Sequence, residues 1–223
     1  MYSKILFISF ILIISLVSAV LAQDGSELIT AIMYQEFDKA KELVENGADV
    51  NYKDETYGST PLILACQYNF ADIAKFLIEK GADVNLQANN GYTPLIAAAA
   101  VSEELTKLLL SKGADLKLRT EDGTSAFITS ISGVLSGRVT TVVAKLLLEK
   151  GANINDSISK GSAEGYTALM MAARNNKPEL VKFLVKEGAE ISQKAKDGNT
   201  ALSLAQKEKD DAMVKLLKEL GAK

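Results

Sequence analysis

A few stretches of this 223-residue sequence carry side chains that could do chemistry. Ser157-Ile158-Ser159-Lys160 has the Ser-x-x-Lys spacing of certain acyl-enzymes, but it sits in a Gly/Ser-rich stretch without the Ser-Asp-Asn or Lys-Thr-Gly elements that complete such a site. Gly133-Val134-Leu135-Ser136-Gly137-Arg138 has the glycines of a phosphate loop at the wrong spacing, with no Lys followed by Ser or Thr. The carboxylate pairs Glu103-Glu104 and Asp210-Asp211 could serve as acid and base, yet both fall where helices are expected to start, and anions there complement the helix dipole. Cys66 follows Ala65 in an apolar run and reads as a small core residue. Asn155-Asp156-Ser157 is a glycosylation sequon, meaningful if the source is a eukaryote.

What the chain lacks narrows the chemistry further. It has no histidine, which removes Ser-His-Asp and Cys-His nucleophiles, imidazole general bases and histidine-ligated metals. One cysteine allows neither an internal disulfide nor a cysteine-clustered zinc or iron–sulfur site. No catalytic, metal or cofactor site is therefore expected. With 25 Lys and Arg against 28 Asp and Glu, interspersed rather than clustered, the chain also lacks the basic face that nucleic acid requires. A hydrophobic fraction of 48 % is that of a globular chain with a sizeable core.

The amino terminus reads as an address. Lys4 supplies a short positive region, Ile5 to Val17 an apolar run, and Val20-Leu21-Ala22 a small-residue exit ahead of polar Gln23-Asp24-Gly25. A cleaved secretory signal over residues 1–22 is the expectation. An uncleaved anchor is the alternative, since Ile5 to Ala22 is just long enough to span a bilayer. The lone cysteine suits an oxidising compartment, periplasmic or extracellular.

The rest of the chain is built on a repeat. Gly-Ala recurs at Gly47, Gly81, Gly113, Gly151, Gly188 and Gly221, at intervals of 34, 32, 38, 37 and 33 residues. A second register keeps step with it: Gly58-Ser59-Thr60-Pro61-Leu62, Gly91-Tyr92-Thr93-Pro94-Leu95, Gly123-Thr124-Ser125-Ala126-Phe127, Gly165-Tyr166-Thr167-Ala168-Leu169 and Gly198-Asn199-Thr200-Ala201-Leu202. Thr60-Pro61 and Thr93-Pro94 place a capping hydroxyl before a proline at the first helical position, where its missing N–H costs nothing. Four residues after each turn glycine comes a large apolar residue, and seven after it Ala65, Ala98, Ser130, Ala172 or Ala205, a face small enough for a neighbouring helix to approach. A second amphipathic helix, such as that carrying Ile73, Phe76 and Leu77, ends at each Gly-Ala, with the glycine in the left-handed conformation. In the first repeat Ser26 is expected at the N-cap.

This succession of turn, helix, turn, helix and glycine stop resembles the ankyrin repeat over essentially all of residues 24–223. Gly-x-Thr-Pro-Leu and the Gly-Ala-Asp-Val-Asn of Gly47 to Asn51 and Gly81 to Asn85 are its most specific motifs. The fold that the resemblance implies is an all-α solenoid of six helix-turn-helix repeats joined by short β-turn or hairpin connections, at about 24–56, 57–89, 90–121, 122–163, 164–196 and 197–223. Where the family usually has a histidine that ties adjacent turns, this chain has Ile63, Ile96, Ile128, Met170 and Ser203. Repeat four is longer than its neighbours around Gly133 to Thr140, and polar Ser157 to Glu164 lengthens the turn that follows; the joint between repeats four and five is expected to be the weak one.

The resemblance further implies a non-enzymatic protein-binding chain, monomeric on its own, whose partner enters a concave face made of turn tips and the outward positions of the first helices. Those positions are Tyr57, Ser59, Asn90, Tyr92, Asp122, Thr124, Tyr166 and Asn199 on the tips and Gln67, Tyr68, Arg174 and Asn175 on the helices. Tyrosine suits an anchor, combining apolar area with a polar end. An exported chain of this kind is expected to inhibit, protect against or stabilise an exported enzyme. Action on a host protein after secretion is one alternative, and a carboxylate-only hydrolase a more distant one.

Overall fold

The computed structural model describes residues 24–223; the expected leader lies outside them. These residues form twelve helices in six successive pairs: α1 (Asp24–Met33) with α2 (Phe37–Glu45), α3 (Pro61–Gln67) with α4 (Ala71–Glu79), α5 (Pro94–Ala99) with α6 (Glu103–Ser111), α7 (Ala126–Leu135) with α8 (Thr141–Glu149), α9 (Ala168–Arg174) with α10 (Pro178–Lys186), and α11 (Ala201–Lys207) with α12 (Asp211–Glu219). The first helix of each pair packs on the first helix of the next, and the pairs stack into an all-α solenoid. None of the helices among the described residues is long and apolar enough to cross a membrane.

The sequence sets each element in the same way. Thr60, Thr93, Ser125, Thr167 and Thr200 have extended backbones, and each side-chain oxygen accepts from the backbone N–H three residues on, at 3.1–3.3 Å. The small residues at the seventh position, Ala65, Ala98, Ser130, Ala172 and Ala205, are fully buried between stacked inner helices. Ser130 meets the cost of that burial by donating its hydroxyl to the Phe127 carbonyl at 2.7 Å. The Gly-Ala glycines stop the second helices at φ between 85° and 104°, where a side chain would be strained. Ser26 departs from expectation. α1 begins two residues before it, so Ser26 lies in the first turn and its carbonyl accepts from the Thr30 hydroxyl at 2.9 Å.

The turns are tied without histidine. Ile63, Ile96, Ile128 and Met170, standing in its place, are buried core residues, while Ser203 completes a capping box with Thr200. Neighbouring turns are joined instead by the backbone: the carbonyls of Tyr57, Asn90, Asp122 and Glu164, each the residue before a turn glycine, accept from the N–H groups of Asn89, Glu121, Ser159 and Lys196 at 2.8–3.1 Å. At the foot of the turns, Asn51, Asn85 and Asn155 accept from the N–H groups of Asp83, Asp115 and Glu190, each at 2.8 Å in the next repeat. Lys117 breaks this series; the same joint is closed by Arg119, whose guanidinium lies 2.5 Å from the largely buried carboxylate of Asp156.

The extra residues of repeat four lengthen its inner helix. α7 has ten residues where α3 has seven and α5 six, and Gly133 lets its added turn approach the Ala100 carbonyl, which a Cβ there would meet at 2.6 Å. The Ser157 to Glu164 stretch folds back on itself through an isolated antiparallel bridge between Ser157 and Thr167. Inner helices α7 and α9 touch less than the other consecutive inner pairs, at the joint expected to be weak.

Candidate functional site

None of the stretches with chemical potential assembles a reactive centre. The Ser159 hydroxyl and N–H both donate to the Asp122 carbonyl, at 3.0 and 2.8 Å, so this serine is a tie between turns. Gly133 to Leu135 closes a helix and Ser136 caps it; the negative dipole end found there repels the phosphate that a helix start would attract. Cys66 is buried, and that burial pushes its thiol up, away from the reactive thiolate. Glu103 pairs with Lys107, Glu104 with Lys75 at 2.5 Å, and Asp210 caps α12 by accepting from the Met213 N–H at 3.0 Å. Among the described residues no group of three or more candidate ligands gathers for a metal.

What the fold does build is a groove of about 610 Å³ across repeats one to three, between the turn tips and the inner helices. α1 contributes Ile29 and Met33, four residues apart on one stripe. α3 contributes Leu64 and Gln67, and Tyr68 follows at its C-cap. The tips contribute Tyr57, Ser59, Asn89, Asn90 and Tyr92. Three large apolar side chains here stand in solvent: Tyr57 is 70 % exposed, Met33 55 % and Tyr68 50 %.

Of the groove's aromatic residues, Tyr57 has its turn fixed, while Tyr68 and Tyr92 have their rings packed. Asp54 accepts from the backbone N–H groups of Thr56, Tyr57 and Ser59 at 2.9, 2.7 and 2.6 Å, fixing the turn that raises Tyr57. At its crest Gly58 has φ +65° and faces the Asn89 side chain, which a Cβ would meet at 2.3 Å. The Tyr68 ring stacks on Phe70 with centroids 5.7 Å apart, and Phe70 in turn meets the edge of Phe37 at 4.9 Å. Tyr92 is half-buried, and the burial raises its hydroxyl's pKa. A ring already fixed loses little conformational freedom when a partner covers it.

The residues expected at the site divide into three groups. Tyr57, Ser59, Gln67, Tyr68, Asn90 and Tyr92 line the groove. Asp122 and Thr124 line an adjoining depression that shares Asn90 and Tyr92 with it. There the Thr120 hydroxyl and the Thr124 N–H both bond the Asp122 carboxylate, and the hydroxyl's bond above all holds its pKa down. Arg174 and Asn175 lie in a separate polar depression near the last repeat, where Arg174 faces Glu208 at 3.6 Å.

Tyr166 and Asn199 are corrections. Each is only 7 % exposed, so neither is a free tip. Tyr166 follows its turn glycine and its hydroxyl donates to Asp197 in the next turn at 3.2 Å, while Asn199 donates to both that hydroxyl and that carboxylate. Lys207 donates to the Asn199 carbonyl oxygen at 2.6 Å and completes the network. The groove residues that escape the sequence reading include Ile29, Met33 and Leu64 on the helices and Asp54, Thr56, Ala88 and Asn89 at the tips. The helical three sit at the spacing of core residues, and for Ile29 and Met33 the first repeat has no Thr-Pro-Leu turn by which to register them.

This network carries a prediction. Tyr166→Phe should lower stability by about 0.5–1.5 kcal/mol, read by urea denaturation, because it deletes hydrogen bonds and little volume. The Asp197 pKa is lowered, chiefly by the Asn199 N–H. A depressed carboxylate stabilises the fold above its unfolded value, about 3.9, and that contribution is lost as pH falls through the lower native value. The last repeat should therefore loosen in acid, and Asp197→Asn should flatten that part of the pH profile. A profile unchanged by the substitution would exclude Asp197 from the stabilising set.

A family model described as "Ankyrin repeats (3 copies)" matches residues 28–120 and again 134–223. No curated protein matches the chain.

Proposed function

Since the chain belongs to the ankyrin-repeat family, whose repeats make protein-binding modules, we propose that it is an exported, non-enzymatic binder that takes its partner into the groove of repeats one to three, on the concave side of the solenoid. The observation that carries this reading is the exposure of Met33, Tyr57 and Tyr68 around one groove that the described residues leave uncovered. A soluble chain gains nothing in stability by holding such rings in water; covered by a partner, each contributes apolar area without a large ordering cost.

Export rests on the charged start, apolar run and small-residue exit of residues 1–22. The exported chain should begin at Gln23 and partition into the soluble fraction. Amino-terminal sequencing that finds Met1 in a carbonate-resistant membrane fraction would replace this with an anchored protein. Outside the cytoplasm, a binder without catalytic groups acts by blocking, protecting or stabilising something that has them, and an exported enzyme is the partner class proposed. The test is a pull-down from a periplasmic extract with the intact chain and with Tyr57→Ala/Tyr68→Ala. An enzyme retained by the first and lost from the second supports the reading; retention by both would place the contact elsewhere.

A further inference from the structure

In repeats one to four the basic residues of the helices all lie on the outer helix. Inner helices α1, α3, α5 and α7 contain no Lys or Arg, and the last three contain no charged residue of either sign. The outer helices of the same repeats hold the cations: Lys39 and Lys41 on α2, Lys75 on α4, Lys107 on α6 and Lys145 on α8. Inner helices α9 and α11, beyond the groove, each carry a basic residue, Arg174 and Lys207.

The turn tips add negative charge to the side of these inner helices. Glu55 lies between two groove residues, Asp54 and Thr56, and is exposed. Glu121 and Asp122 line the adjoining depression, both exposed. Of the basic residues at these tips, Lys53 donates to the Gln87 carbonyl at 2.6 Å and Arg119 closes on Asp156, while Lys160, next to the Ser159 that bonds the Asp122 carbonyl, is exposed, so the rim is negative on balance rather than free of cations. The face thus combines exposed aromatic rings with the rim carboxylates of Glu55, Glu121 and Asp122, none of them in an ion pair among the described residues.

We infer that the groove's occupant is a cationic segment of a partner protein, with one bulky apolar side chain seated among Met33, Tyr57 and Tyr68 and flanking Lys or Arg residues directed to Glu55, Glu121 and Asp122. The inference rests on the groove being the contact surface, and it adds the chemistry of what enters. Rim carboxylates of this kind speed association and reject acidic competitors, while the rings supply the buried area.

The test is a selection of random twelve-residue peptides displayed on phage against the immobilised full chain. The strongest sequences are then made as synthetic peptides with tryptophan at the apolar position. The chain has no tryptophan, so emission reports that residue's burial alone. The expected binders combine an aromatic or leucine with at least two Lys or Arg, and bind less tightly as salt rises. Tyr57→Ala/Tyr68→Ala should abolish their binding, and Glu55→Gln/Glu121→Gln/Asp122→Asn should weaken it about tenfold. Peptides that need the tyrosines but are neutral or acidic, or that ignore the charge substitutions, would overturn the cationic preference and leave the groove standing. A selection yielding no peptide dependent on Tyr57 and Tyr68 would overturn the groove reading itself. All five positions are exposed, and a cooperative melting curve verifies that each variant is folded, with Tyr68→Phe as the control that keeps the stacking on Phe70.

Discussion

Leu77→Ala should lower the unfolding free energy by about 2–5 kcal/mol, the cost of deleting a large buried side chain and leaving a cavity. Leu77 is fully buried on α4, which packs against both α3 and the outer helices on either side. In a solenoid each repeat is supported by its neighbours alone, so the loss is felt first by repeats one to three and little by repeats five and six. Urea denaturation followed by circular dichroism should show a lower midpoint, and hydrogen exchange should locate the added opening in residues 24–111. Leu77→Met, which keeps most of the volume, should cost less than about 1.5 kcal/mol. An equal loss of protection at α10 and α12 would mean that the array unfolds as one indivisible unit.

The second large effect is on binding. Truncating Tyr57 and Tyr68 together should weaken the complex by about 2–6 kcal/mol, since an anchor at the centre of an interface is worth about 1–3 kcal/mol or more when cut to alanine. Thermal stability should hardly move for Tyr57, which rises from an exposed tip. Tyr68 rests on Phe70, so Tyr68→Phe is the control that keeps the stacking and removes the hydroxyl. Isothermal titration against the recovered partner is the measurement. Unchanged affinity in the double variant would remove both rings from the contact.

Much of this architecture is written in local chemistry. A threonine before proline, a glycine that must take positive φ, and alanines where helices touch are constraints that one residue type satisfies far better than others, so they can be read from a single chain. The site is less legible. Tyr57 precedes its turn glycine, whereas Tyr92 and Tyr166 follow theirs, so the three are not equivalent positions, although all sit in the same short motif. Only the packed turn reveals that the residue after the glycine is drawn inward, half-buried at Tyr92 and buried at Tyr166. Met33 and Ile29 have the periodicity of core residues, and nothing in that spacing tells that Ile29 is buried while Met33 stands open on the groove. The Arg119–Asp156 pair is equally hidden: 37 residues separate the partners, and nothing in either motif links them.

If the partner sits in the groove of repeats one to three, binding must shield that groove from solvent. Hydrogen–deuterium exchange of the intact chain, alone and saturated with the partner recovered by pull-down, tests it most directly. New protection is expected in 29–34, 54–59, 64–70 and 88–92, with residues 141–149 and 178–186 of the outer helices unchanged. Protection confined to 133–140, 157–164 or the outer helices, with Tyr57 and Tyr68 as open as in the free chain, would contradict it.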